Sequence, residues 1–267
     1  MSLDLDLDRA LATARRAVEA ACAASLAHFR RGVRVEVKPD RTPVTAADRD
    51  AEAAVLAVIR AAFPGHAILG EESGAHQGDA AARWIVDPID GTRGFTRGGS
   101  FWGPLVALEH EGDVVVGAMA MPALGETYWA SRGSGAWMGR DGADPVRLRV
   151  SGISEWEESS LSFGEFRGVF SPERERPILD LARTAAQARC YGDLAGAAMV
   201  LTGRAEAWIE AGVKDWDIAP LKILAEEAGG RFTDLAGRRT IASGNCLLSN
   251  GLVHEHVLRV LSAPAST

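Results

Sequence analysis

Cysteine is scarce in this 267-residue chain: Cys22, Cys190 and Cys246 are odd in number and show no paired spacing. A disulfide framework is thereby excluded, a reducing compartment is the simpler setting, and no cysteine pair with a nearby histidine suggests zinc. Basic residues do not dominate either. Against 36 Asp and Glu stand 29 Lys and Arg, a net charge of -7, which gives no reason to expect a nucleic-acid partner. No apolar run reaches the ~18 residues of a membrane span, so no membrane association is expected. The opening L-D-L-D-L-D is the opposite of a basic signal-peptide start, and the expected location is the cytoplasm. There is no G-x-S-x-G motif, so nothing points to a nucleophilic serine and a covalent intermediate.

What is present is an ordinary globular composition, 47% apolar and 24% charged, long enough for one large domain or two lobes sharing a core. Apolar residues at helical spacing (Leu7, Leu11, Ala14, Val18, Ala21, Cys22, Leu26, Phe29) predict a first helix. A turn at Pro39-Asp40 precedes a second helix that begins near Thr45, where Thr45 and Asp48 form a variant of the capping box; Val55, Val58, Ile59 and Ala62 form its inner face. Strands are expected over 67–69 and 84–86, then a meander over 101–109, 114–121 and 126–130. Asp144-Pro145 divides an α+β lobe, residues 1–144, from an α/β lobe, residues 145–267. The second lobe reads as a strand near Ser160, helices over 172–188 and 193–202, a strand over 205–210, a helix over 216–228 closed by Gly229-Gly230, and a last helix over 253–261. Ile178, Leu179 and Leu181 are expected to face inward. Met119 and Met121 read as core filler, and His254 and His256 as surface residues.

Five carboxylates stand in four short, widely separated motifs: Asp48 in V-T-A-A-D, Glu71 in G-E-E-S, Asp87 and Asp90 in W-I-V-D-P-I-D-G-T, and Asp217 in W-D-I-A. Taken singly, Asp48 caps a helix, Glu71 is a solvated loop acid, Asp87 and Asp90 make an acidic turn, and Asp217 favours a helix dipole. Gathered together they repel one another, by roughly 3 kcal/mol per pair at about 5 Å and an effective dielectric near 20, and need cations. Carboxylate, carbonyl and water oxygens suit magnesium or manganese. The apolar strand before Asp87 places the acids at a strand's carboxyl end, and Gly91-Thr92 offer backbone N–H groups to an anion.

These motifs, in this order, resemble those of the inositol monophosphatase family over roughly residues 8–262: K-P-D-R-T-P-V-T-A-A-D from Lys38, L-G-E-E-S from Leu69, W-I-V-D-P-I-D-G-T from Trp84 and W-D-I-A from Trp216. The resemblance implies a layered α-β-α-β-α sandwich of α/β and α+β character, often assembled as a homodimer, and hydrolysis of a phosphate monoester. It implies that Glu71, Asp87 and the Ile89 carbonyl hold one Mg²⁺, that Asp87, Asp90 and Asp217 hold a second, and that a third, looser ion uses Glu71. Thr92, hydrogen-bonded to Asp48, would orient and deprotonate the attacking water, with Gly91 and Thr92 amides on the phosphoryl oxygens. Two departures stand out. Gly94 replaces a common Asn, and Pro220 replaces a small residue, in what reads as a helix's first turn.

Arg189, Asp193 and Glu210 lie in segments that correspond to the family's leaving-group contacts. Asp193 and Glu210 would present two anions to the leaving alcohol, which suits an amine or imidazolium. With R-G-x-x-x-W-G-x-L-V around Trp102 and Y-G-D around Tyr191, the chain looks like the family's histidinol-phosphatase branch. The expected substrate is L-histidinol phosphate, in histidine biosynthesis. Inositol 1-phosphate is the alternative; fructose 1,6-bisphosphate and phosphoadenosine phosphate rank lower, as does a non-catalytic metal- or phosphate-binding regulator.

Overall fold

In the computed structural model, the residues described are 5–32, 34–38 and 43–262, with the side chains of Ala80 and Asp193 excepted. The expected turn at Pro39-Asp40 lies outside them. In chain order the elements are α1 (Leu7–His28), β1 (Glu36–Val37), β2 (Pro43–Val44), α2 (Ala46–Ala62), β3 (His66–Gly70), β4 (Gly74–His76), β5 (Asp79–Asp90), α3 (Thr92–Thr96), β6 (Gly103–His110), β7 (Asp113–Met121), β8 (Glu126–Ser131), β9 (Ala136–Arg140) and β10 (Val146–Arg147). There follow β11 (Ser160–Phe163), α4 (Phe166–Val169), α5 (Glu175–Thr184), β12 (Gln187–Cys190), α6 (Asp193–Leu201), β13 (Ala207–Ala211), α7 (Asp215–Glu227), β14 (Arg231–Thr233), β15 (Asn245–Ser249) and α8 (His254–Leu261).

Eight strands form one sheet in the order β10-β9-β8-β7-β6-β5-β3-β4, antiparallel but for the parallel β3/β5 pair. Five form a second, β12-β11-β13-β15-β14, in which β12, β11 and β13 run parallel. Helices α1 and α2 cover the outer face of the first sheet, α6 and α7 fill the space between sheets, and α5 and α8 cover the outer face of the second. Three apolar cores hold this α-β-α-β-α sandwich together: one under α1 and α2, one spanning the space between the sheets around α6 and α7, and one under α5 and α8. The expected layering is what the chain adopts. The first sheet runs on through β10, so Asp144-Pro145 falls within the β9–β10 hairpin.

Local sequence explains most elements. The Thr45 hydroxyl accepts the Ala47 N–H, and Asp48 reaches back to the Thr45 N–H at 2.7 Å, so the capping box starts α2 where expected. Glu111 and Gly112 both have positive φ, which closes the two-residue turn between β6 and β7. Met119 and Met121 are core residues.

Five details differ from the sequence reading. Helix α1 buries Ala14, Val18 and Ala21 as expected, but Ala10 and Ala17 complete the stripe and Leu26 is exposed: small side chains let two helices and the sheet approach closely, and the leucines flank the seam. The helix expected over 172–188 is only α5, because 187–190 are taken by strand β12; its inner face is Pro177, Ile178 and Leu181, with Leu179 rotated outward. Strands β14 and β15 had no expectation. Pro220 is the sixth residue of α7, past its first turn, where its backbone lies against Gly117 of β7; a Cβ at Gly117 would come within 2.9 Å of Pro220 Cα. Finally, His254 is buried. Its ring bonds Thr233 Oγ at 2.9 Å and Ser249 Oγ at 2.8 Å, whereas His256 stacks on Trp156.

Candidate active site

Residues 87 and 90 are an odd number apart, so on a regular strand their side chains would point to opposite faces of the sheet. The β5/β6 register shifts between them: Asp87 pairs with Leu105 and Asp90 with Gly103, so three steps on β5 oppose two on β6. This bulge over Pro88-Ile89 turns both carboxylates to one side. The parallel β3/β5 pair then brings Glu71 beside Asp87, with the Glu71 N–H bonded to the Val86 carbonyl at 3.1 Å. Asp217 arrives from the other half of the chain, in the first turn of α7, where its Oδ2 accepts the Lys214 N–H at 2.7 Å.

The result is a cluster in which one carboxylate oxygen each of Asp87, Asp90 and Asp217 lie within 4.8 Å of one another. Asp87 is 1% exposed. Burial, and then the charges of Glu71, Asp90 and Asp217, hold its carboxyl well above the ordinary aspartate range. Glu71 is pushed up by burial as well, against the pull of the Lys38 ammonium, and shares a hydrogen bond with Asp87. Lys38 Nζ sits 2.8 Å from Glu71 Oε1 and 2.6 Å from Glu72 Oε1. Lys38 is raised because these two contacts outweigh its own burial, yet both carboxyls are raised too, Glu72 to about 7: one ammonium does not neutralise so many buried acids. An all-oxygen donor set with surplus negative charge fits hard divalent cations.

Beside the cluster, Thr92 opens the short helix α3. Its hydroxyl lies 3.2 Å from Asp48 Oδ1 and 2.9 Å from the Ile89 carbonyl. Asp48 is fully buried, and its other oxygen is fixed by the Thr45 N–H and hydroxyl. Gly91 has φ 77°, a left-handed conformation that lets the chain turn from β5 into α3. The cap of α2 thus also orients the Thr92 hydroxyl.

Glu210 is 3% exposed, and its carboxylate accepts N–H groups of Glu165 and Ala211 at 3.0 and 2.9 Å. It lies on the cluster's side of the second sheet: the Cys246 thiol, its register partner, is pushed up by burial, then by the charge of Glu210 and more weakly of Asp217. Arg189 is exposed on edge strand β12, its guanidinium bonded to the Ala188 carbonyl of its own strand. Asp193 begins α6, and its side chain lies outside the described residues.

Glu52 was missed in the sequence. It is buried, and its two carboxylate oxygens take the N–H groups of Glu72 and Ser73, each at 2.8 Å, which fixes the turn that presents Glu71. The available signal was its place one turn after Asp48 on the same face of α2.

With this geometry in place, the comparisons with known proteins are specific. The profile of the inositol monophosphatase family matches residues 6–264. The chain belongs to that family. A histidinol-phosphatase of Mycobacterium tuberculosis is 41% identical over 97% of this chain and 98% of its own, and one of Streptomyces coelicolor is 38% identical over 91% and 93%. Among solved structures, an IMPase of Thermotoga maritima superposes with TM-score 0.80 at 32% identity, over 96% of both chains. As a member of this family the chain is a phosphoric monoester hydrolase, and its acidic cluster agrees with the family's dependence on metal ions. No helix among the described residues is long and apolar enough to cross a membrane.

Proposed function

We propose that the chain hydrolyses L-histidinol phosphate to L-histidinol and inorganic phosphate, with Mg²⁺ as its natural cofactor. The observation that carries this reading is the end-to-end similarity to histidinol-phosphatases at 38–41% identity. Glu71, Asp87, the Ile89 carbonyl, Asp90 and Asp217 are the donors that would hold two or three ions; Mn²⁺ suits the same oxygens. Bound there, such ions supply positive charge to the phosphoryl oxygens and acidify water.

The rest is work for the protein's own groups. In this reading Thr92 Oγ accepts a hydrogen bond from the attacking water and passes its own proton, which has both Asp48 Oδ1 and the Ile89 carbonyl within reach, to Asp48, so the pair receives the proton the water loses. Asp48 is a good terminus for that relay because its second oxygen is immobilised by Thr45. The N–H groups of Gly91 and Thr92 orient the phosphoryl group at the start of α3. On the leaving-group side, Glu210 and Asp193 favour a cationic alcohol, an amine or imidazolium, over a second phosphate, with Arg189 at the rim. A homodimer in the cytoplasm, acting in histidine biosynthesis, completes the proposal.

Turnover of histidinol phosphate, inositol 1-phosphate and fructose 1,6-bisphosphate with Mg²⁺ tests it. A kcat/KM at least about tenfold higher for histidinol phosphate is expected, the discrimination that roughly 1.4 kcal/mol supplies. A clear preference for the inositol ester would overturn the substrate assignment and leave the phosphatase class intact.

A further inference from the structure

Two buried polar atoms beneath the leaving-group side have no hydrogen-bond partner among the described residues: Ser162 Oγ on β11 and Trp208 Nε1 on β13. Their residues are 0% and 2% exposed. They are not independent. Ser162 and Trp208 are register partners on adjacent parallel strands, so both side chains rise from the same face of the second sheet, toward α6. Both meet the same point on that helix. A Cβ placed on Gly196 would lie 2.4 Å from Trp208 Nε1 and 2.9 Å from Ser162 Oγ. The two atoms therefore converge on one glycine, within the reach of a single bridging water.

A buried N–H donor left unpaired costs about 1–3 kcal/mol, and native proteins rarely keep two side by side. An indole N–H can only donate, whereas a serine hydroxyl both donates and accepts. A water that accepts from Trp208 and bonds Ser162 satisfies both, and two protein partners suffice to hold it. We infer that Ser162, Trp208 and Gly196 form a binding site for one internal water, which joins α6 to β11 and β13. Its place in the fold gives it a task. Two residues farther along stand Gly164, just past the end of β11 with its N–H on the Ile209 carbonyl, and Glu210 of β13, and a Cβ on Gly164 would collide with the Glu210 carboxylate. About one turn before Gly196, where the chain enters α6, lies the segment Tyr191–Asp193. The hydrated pair is thus the layer immediately below the Glu210 carboxylate, and Ser162 and Trp208 are positioning residues for the leaving-group pocket. This last step rests on the proposed function; the water site itself does not.

A high-resolution crystal structure of the intact protein is expected to show one ordered water bonded to both atoms; a well-defined map without it overturns the site. Trp208→Phe and Ser162→Ala, singly and together, give a second, substrate-free readout. Each single change is expected to lower Tm by about 2–4 °C, and the double variant by less than the sum, because the apolar pair no longer needs the water. Strict additivity contradicts the shared water. In assays, Trp208→Phe is expected to raise KM for histidinol phosphate roughly threefold or more with kcat nearly unchanged. A fall in kcat at constant KM would overturn the positioning role while leaving the water site to the map and the thermal cycle.

Discussion

Strands β5 and β13 each end in buried acid, and the two ends differ in what surrounds the charge. At the end of β5, Asp87 faces Glu71, Asp90 and Asp217, and burial with mutual repulsion drives its carboxyl upward. At the end of β13, Glu210 is wrapped by backbone N–H groups of Glu165 and Ala211. The first pocket carries a surplus of negative charge that calls for divalent cations. The second is a carboxylate already held by the fold, and the proposed function gives it the leaving group and not the reacting ions. On the proposed function, reaction chemistry and substrate choice fall to different halves of the chain, with Asp217 reaching from the second half into the acidic cluster of the first.

That division can be broken by substitution. The largest effect is expected from Asp90→Asn: phosphate release in Mg²⁺ should fall roughly 10³-fold, since it removes a charge that the transition state depends on. Undiminished turnover would remove Asp90 from the metal ligands. Next comes Thr92→Ala, with a loss of about 10²-fold in kcat and little change in Mg²⁺ affinity, because the proton relay through Asp48 is cut while the cation donors stay. Equal loss in Asp48→Asn and in the double variant would sharpen the assignment of the two to one relay.

On the other side of the comparison, Glu210→Gln should raise KM for histidinol phosphate by about tenfold and leave kcat within a factor of two. A kcat effect as large as that of Thr92→Ala would erase the distinction between the two strand ends.

A last prediction concerns stability and not turnover. Burial, then Arg231, push the His254 imidazole down to about 4, against a weaker upward pull from Glu255. Between pH 6.5 and 4 the unfolded chain takes up this proton and the folded chain does not. Stability should therefore fall as pH drops through that window, by at most about 1.4 kcal/mol per pH unit from this group. Chemical denaturation of wild type and His254→Gln across that range checks it: the variant should lose this part of the slope.

Legibility in the sequence follows the same line. The acidic centre was readable because each piece is a local turn or cap: D-P-I-D-G-T encodes the bulge and the start of α3, and T-A-A-D encodes the α2 cap that holds Thr92. What was unreadable depends on contacts distant in sequence. Glu52 looks like a surface acid of α2 until the Glu72-Ser73 turn folds over it, and His254 looks exposed until β14 and β15 place Thr233 and Ser249 on either side. The alanine face of α1 carries a weak hydropathy signal, because close approach and not apolar bulk defines that seam. Pro220 was read into the first turn of α7, but the helix opens at Asp215 behind the Lys214 cap, so the proline is its sixth residue and falls in the second turn.

On the proposed function, acids from both halves of the chain share divalent cations. Anomalous diffraction from crystals soaked in Mn²⁺ tests it most directly. A strong peak bounded by the carboxylates of Asp87, Asp90 and Asp217 is expected; a map with no peak there, or with manganese bound only elsewhere on the surface, would mean that these acids hold no common ion.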